Sequence, residues 1–134
     1  MAVASHRCFG PGQVVVEKLN RDAIVRAVES GAVVFIGSHG TARGLMVPEG
    51  YFEAHEVQTL DISPALRFVY LTGCDQKATW VDAFAPAEVV TYDRLTAVVE
   101  HLWWMWLEGP GVVCQVASEL GGKDSMTPKR PEAP

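Results

Sequence analysis

The stretch "VVFIGSHGTARG", Val33 to Gly44, decides the fold. The segment Ala32 to Gly37 is continuously apolar and rich in branched residues, the pattern of a central parallel strand covered on both faces. It breaks at Ser38, His39 and Gly40. A second stretch, "RFVYLTGCDQ" from Arg67 to Gln76, repeats the arrangement with Cys74 in the histidine's place. About thirty residues lie between the two strands, enough for a crossover that returns the second parallel to the first.

Working outward, Asn20 caps a predicted helix with Asp22 in its first turn, Ile24, Val25 and Val28 on one face and Gly31 just past its end. Val14 to Val16 predicts a short strand before it. "RGLMVPEGYFEA" spells a hairpin turning at Pro48-Glu49-Gly50, and Glu53 to Leu60 makes two helical turns. Beyond Cys74, "QKATWVDAF" reads as a helix closed by Pro86, and Glu88 to Tyr92 as a strand. This β-α-β-α order predicts an α/β domain over residues 1–120, with a mostly parallel sheet, helices on both faces and a small β-hairpin insertion.

Asp93 starts the longest predicted helix, running to Glu108. Leu95, Val98, Val99, Leu102, Met105 and Trp106 form one stripe on it, expected to face the core. Trp104 then falls opposite, and with Leu107 it points away from that core. These two residues are the candidate contact of a homodimer formed through the Asp93–Glu108 helix.

The totals exclude several classes of function. A chain of 134 residues with 49 % hydrophobic and 20 % charged residues can bury its own core. A net charge of -5 and a pI of about 5.3, without a basic stripe, argue against nucleic acid as a partner. The apolar stretches are too short to span a bilayer, and "MAVASHRCFGPG" lacks the apolar centre of a secretion signal, so the expectation is a cytoplasmic protein without membrane contact. Cys8, Cys74 and Cys114 are an odd number without paired spacing, which indicates neither a disulfide framework nor a closed zinc site. With no second close-spaced ligand pair, no metal or other cofactor is expected. The tail "GGKDSMTPKRPEAP", residues 121–134, has little to bury and is expected to be mobile.

Chemistry in open α/β sheets collects at the carboxyl ends of the strands, where His39 and Cys74 both fall. A free thiol, with a pKa of roughly 8.5, is mostly protonated at neutral pH and needs a base or positive charge nearby to attack. An imidazole supplies either, and can then protonate a leaving amine. The N–H groups of Gly40 and Cys74 are candidate oxyanion donors, since Gly40 has no side chain to block a substrate carbonyl. Arg43 and Asp75 are the charged candidates for contact with a substrate, and the charge of Asp75 beside the thiol opposes thiolate formation.

The series strand-"SHG", hairpin, short helix, strand-"TGC", helix, "PAEVVTY" and a long helix ending in "LEGPGVVCQVASEL" resembles the caspase-haemoglobinase fold of clan CD cysteine peptidases, especially CHAT-type domains, over about Ala32 to Leu120. The resemblance implies a three-layer fold, His39 as general acid/base, Cys74 as nucleophile and a peptide or protein as substrate. The expected function is that of a small cysteine peptidase or amide hydrolase. The alternative is an inactive scaffold of the same fold kept as a binding or assembly module, which the short chain and Asp75 favour.

Overall fold

The computed structural model describes residues 7–73 and 76–121. Their contacts fall into two compact units, one comprising Glu17–Thr96 and the other residues 7–16 with 97–121. The first is mixed α/β and contains both strand ends singled out above.

Helix α1, Arg21–Ser30, starts where Asn20 stops the extended chain: the Asn20 side chain accepts a hydrogen bond from the Ala23 N–H at 2.8 Å, and Gly31 closes the helix. Ala23, Ile24 and Val28 are its buried residues. Strand β1, Val33–Ile36, follows. Three short antiparallel strands come next: β2, Gly40–Thr41, β3, Gly44–Val47, and β4, Gly50–Phe52. The expected hairpin is therefore present, and it carries β2 as a third strand. A 3₁₀ helix over Ala54–Thr59 leads to β5, Phe68–Leu71, and then helix α2, Lys77–Phe84, and strand β6, Glu88–Val90. Arg21 pairs with Glu56 and donates to the Tyr51 carbonyl, tying α1 to the hairpin and the 3₁₀ helix.

The main sheet is parallel, in the order β1-β5-β6, with Val34 opposite Val69 and Ile36 opposite Leu71. All four residues of β5 are buried, as a strand flanked on both sides requires. The central strand is therefore β5, and β1, expected in the centre, is an edge. The reason lies upstream: Val14 to Val16 form no strand, Pro11–Gln13 makes a single 3₁₀ turn, and Val15 and Val16 stay exposed. Without a preceding strand, β1 has only β5 to pair with.

Alternation along the strands divides the sheet faces. Val34, Ile36, Val69 and Leu71 join Ile24 and Val28 of α1, Leu45 and Phe52 of the hairpin, Val57, and Trp80 and Phe84 of α2 in one buried cluster. Both helices of this unit thus cover the same face. The opposite face is aromatic: Phe35 lies 6.3 Å from Phe68 and 6.1 Å from Tyr70, whose hydroxyl meets that of Tyr92 at 3.1 Å.

In the second unit, the predicted helix from Asp93 to Glu108 begins later, as α3, Val98–Leu107, and is followed by the longer α4, Gly109–Gly121. Asp93 is engaged elsewhere, its carboxylate accepting the Lys77 N–H at 2.7 Å and capping α2. Pro110 has no N–H to continue a helix but suits the first turn of a new one, so the chain breaks at Glu108-Gly109 and the two helices pack against each other. Gly121, the last residue of α4, is the single described residue of the tail.

The orientation of α3 departs from the expectation at all but Leu107, which is exposed as expected, and Met105. Val98, Val99, Leu102 and Trp106 of the stripe assigned to the core are exposed, as are Leu95 before the helix and Trp103 and Leu107 on it. His101 is buried, and Trp104 and Met105 are half-buried. Among the described residues, no helix is long and apolar enough to cross a membrane.

Cys8 and Cys114 form a disulfide, with Cα atoms 5.2 Å apart, across a sequence separation of 106 residues. This corrects the inference from unpaired spacing, because a bridge between chain-distant segments leaves no local motif to read. A bridge of this span removes much of the freedom of the unfolded chain. Peptide mapping without reductant should recover the Cys8 and Cys114 peptides linked, and Cys114→Ser should lower stability by about 2–5 kcal/mol in denaturant titration.

Candidate functional site

The ends of β1 and β5 are joined by one side chain. The Thr72 hydroxyl accepts the Ser38 N–H at 2.9 Å and donates to the Ser38 carbonyl at 2.9 Å, while the Thr72 N–H donates to the Ile36 carbonyl at 3.1 Å. Two loops that would otherwise diverge as the strands end are thereby held side by side. Ser38 also reaches the hairpin, its hydroxyl donating to the Met46 carbonyl at 2.5 Å.

One residue further, the backbones close on each other. Gly73 is buried, and a Cβ placed there would lie 3.1 Å from both the N and Cα atoms of Gly40 and 2.7 Å from a methyl of Leu45. A side chain here would push the Leu45 methyl aside and crowd the Gly40 backbone, so glycine suits the position. The Gly73 carbonyl accepts the buried Thr91 hydroxyl at 2.9 Å, which fixes it from the β6 side.

The register of the hairpin decides where the Gly40 amide points. The Met46 N–H donates to the His39 carbonyl at 2.9 Å, so the neighbouring pair, Gly40 opposite Leu45, is the one that exchanges no ladder bonds. The Gly40 N–H is turned away from β3. His39 is exposed at the rim of this contact.

Cys74 and Asp75, the expected nucleophile and its acidic neighbour, lie outside the described residues. The chain resumes at Gln76, which has a left-handed backbone (φ 58°) and whose side-chain amide donates to the Ala42 carbonyl at the tip of the β2–β3 turn. A left-handed residue other than glycine costs about 1–2 kcal/mol and persists only where its surroundings hold it. The Gln76 bond to Ala42 and the capped first turn of α2 provide that hold. Arg43, next to Ala42, stacks its guanidinium 4.4 Å from the centre of the Tyr51 ring, so its cationic face is already occupied within the hairpin.

The structure thus brings Ser38 and Gly40, which flank His39, against Thr72 and Gly73, and ties Gln76 to Ala42 in the turn that carries Arg43. Trp104 and Leu107 belong to the other unit. The sequence reasoning passed over Thr72, Thr91 and Gln76. For Thr72 and Thr91 the signal was a hydroxyl directly after each of two apolar strands, where backbone groups lose their ladder partners and need a polar side chain.

Comparison with known proteins matches this chain to no family model, no curated protein and no solved structure.

Two substitutions test the geometry. Gly73→Ala drives a methyl into the Gly40 backbone and should cost about 1–3 kcal/mol, the range for overpacked sites. Thr72→Val leaves the Ser38 N–H and carbonyl without their partner, at about 1–3 kcal/mol for the unsatisfied groups. Both should appear as lower midpoints in urea with unchanged slopes.

Proposed function

We propose that this protein is a small cysteine hydrolase acting on a peptide or other amide, with Cys74 as nucleophile and His39 as general acid/base, on a three-layer scaffold like that of caspases and CHAT-type domains. The observation that carries the proposal is the close approach of Gly40 and Gly73. In the sequence His39 precedes Gly40 and Cys74 follows Gly73, so the two residues proposed to react are chain neighbours of a single backbone contact at the carboxyl ends of adjacent parallel strands.

The chemistry follows from those positions. His39 takes the thiol proton, and the Cys74 sulfur attacks the substrate carbonyl carbon, forming a C–S bond as the π electrons move onto oxygen. The Gly40 N–H, turned out of its ladder, donates to that oxyanion together with the Cys74 N–H. Collapse breaks the C–N bond, and the His39 imidazolium protonates the departing amine. Water, deprotonated by His39, then cleaves the thioester and regenerates the thiol.

A second reading, an inactive scaffold of the same fold acting as a binding or assembly module, draws support from the exposed apolar residues of α3. Asp75, which follows Cys74 in the sequence, favours it too, since a negative charge near a thiol opposes thiolate formation.

The disulfide makes the test clean. With Cys8 and Cys114 paired, Cys74 is the one cysteine left to alkylate in the oxidised protein. Iodoacetamide should modify Cys74 at about pH 6 far faster than it modifies an ordinary thiol, and His39→Ala should slow this by about tenfold or more. An acyloxymethyl ketone probe series should label Cys74 with a preference at its first residue. A rate that tracks an ordinary thiol titration and ignores His39→Ala, with no probe labelling, would rule out the dyad in favour of the module.

A further inference from the structure

The exposed side of α3 carries no polar residue. At 3.6 residues per turn, Val98, Leu102, Trp106, Val99, Trp103 and Leu107 follow one another around about half of the helix circumference. All six are exposed, Trp106 at 79 % and Val98 at 74 %. Val99, Leu102, Trp103 and Trp106 line a shallow apolar groove of about 340 Å³. The polar residues Glu100, His101 and Glu108 lie on the remaining arc, so the helix is amphipathic with its apolar half turned to water.

We propose that this face is covered by the same face of a second copy of the chain, the two α3 helices running antiparallel about a twofold axis between Leu102 and Trp103. Three observations select this occupant.

The first is self-complementarity. Antiparallel pairing about that axis sets Val98 against Leu107 of the second copy, Val99 against Trp106 of the second copy, and Leu102 against Trp103 of the second copy. Small residues at the start of the helix meet large ones at its end, twice, as an isologous contact requires. Parallel pairing would set both tryptophan pairs against each other and leave the valines facing a gap.

The second is area. With a wholly buried tryptophan contributing about 150–250 Å², the six side chains present on the order of 800 Å², which matches the roughly 800 Å² that each partner contributes to a standard stable interface.

The third is charge. Residues 97–121 contain three glutamates and no lysine or arginine, whereas a helix lying on an anionic lipid surface carries basic residues on its polar face. The tail offers no substitute cover, because Met126 is its one large apolar residue between Lys123 and Pro134.

The test is sedimentation equilibrium of the full oxidised chain with paired charge substitutions at exposed positions. Wild type should show twice the 14.6 kDa chain mass at micromolar concentration. Val98→Lys alone and Leu107→Glu alone should each weaken association by about tenfold or more, equivalent to about 1.4 kcal/mol. The double variant should recover most of that loss, because Lys at 98 in each copy then faces Glu at 107 in the other, while within one helix the two positions are too far apart to pair. Circular dichroism of each variant should be unchanged.

A monomeric wild type would overturn the proposal, whether the face then binds vesicles, another protein or the tail, the last shown by dimerisation on removing residues 122–134. So would a dimer whose affinity is indifferent to the single substitutions, or a double variant no better than the singles, which would exclude the antiparallel register.

Discussion

The architecture of the α/β unit depends on one constraint: parallel strands β1 and β5 must end with their loops in contact, not apart. Strand twist alone would fan those loops outward. Thr72 opposes this by bonding both backbone groups of Ser38, and the absence of a side chain at Gly73 lets the next residues close to van der Waals distance. The bond from the Gln76 side-chain amide to the Ala42 carbonyl adds a second tie between the hairpin and the chain that follows β5, while the hairpin register turns the Gly40 amide away from β3.

The same constraint explains why the hairpin is part of the site. Its first strand, β2, contains Gly40, and its turn receives the Gln76 amide. Leu45 of β3 packs against Gly73 from below while belonging to the main buried cluster. A change in the core beneath the hairpin is therefore transmitted to the strand ends without passing through flexible chain.

Much of this unit was legible in the sequence, because its signals are local. Asn20 and Gly31 bound α1 through capping, Pro48 to Gly50 marks the hairpin, and the continuous apolar run at Phe68 to Leu71 marks a buried strand. What the sequence did not convey depends on pairing between distant residues. Whether β1 is central or an edge rests on a strand at Val14 to Val16 that does not form, and the Cys8–Cys114 bridge joins segments at opposite ends of the chain. The supporting role of Thr72 and Thr91 emerges only when their strands lie side by side.

Helix α3 shows where a periodicity argument stops. The wheel sorts Val98, Val99, Leu102 and Trp106 onto one face correctly, but a wheel does not say which way a face points. The usual inference that the more apolar side is buried holds for a helix covered by its own chain, and fails when both sides carry large apolar groups. Here the break at Glu108-Gly109 begins a second helix against the first, and burial follows the side of His101, Trp104 and Met105. The more apolar half is left outside, at a cost that ten residues of isolated helix cannot offset through propensity. Covering that half by association would remove the cost, and the same surface would link the stability of this unit to protein concentration.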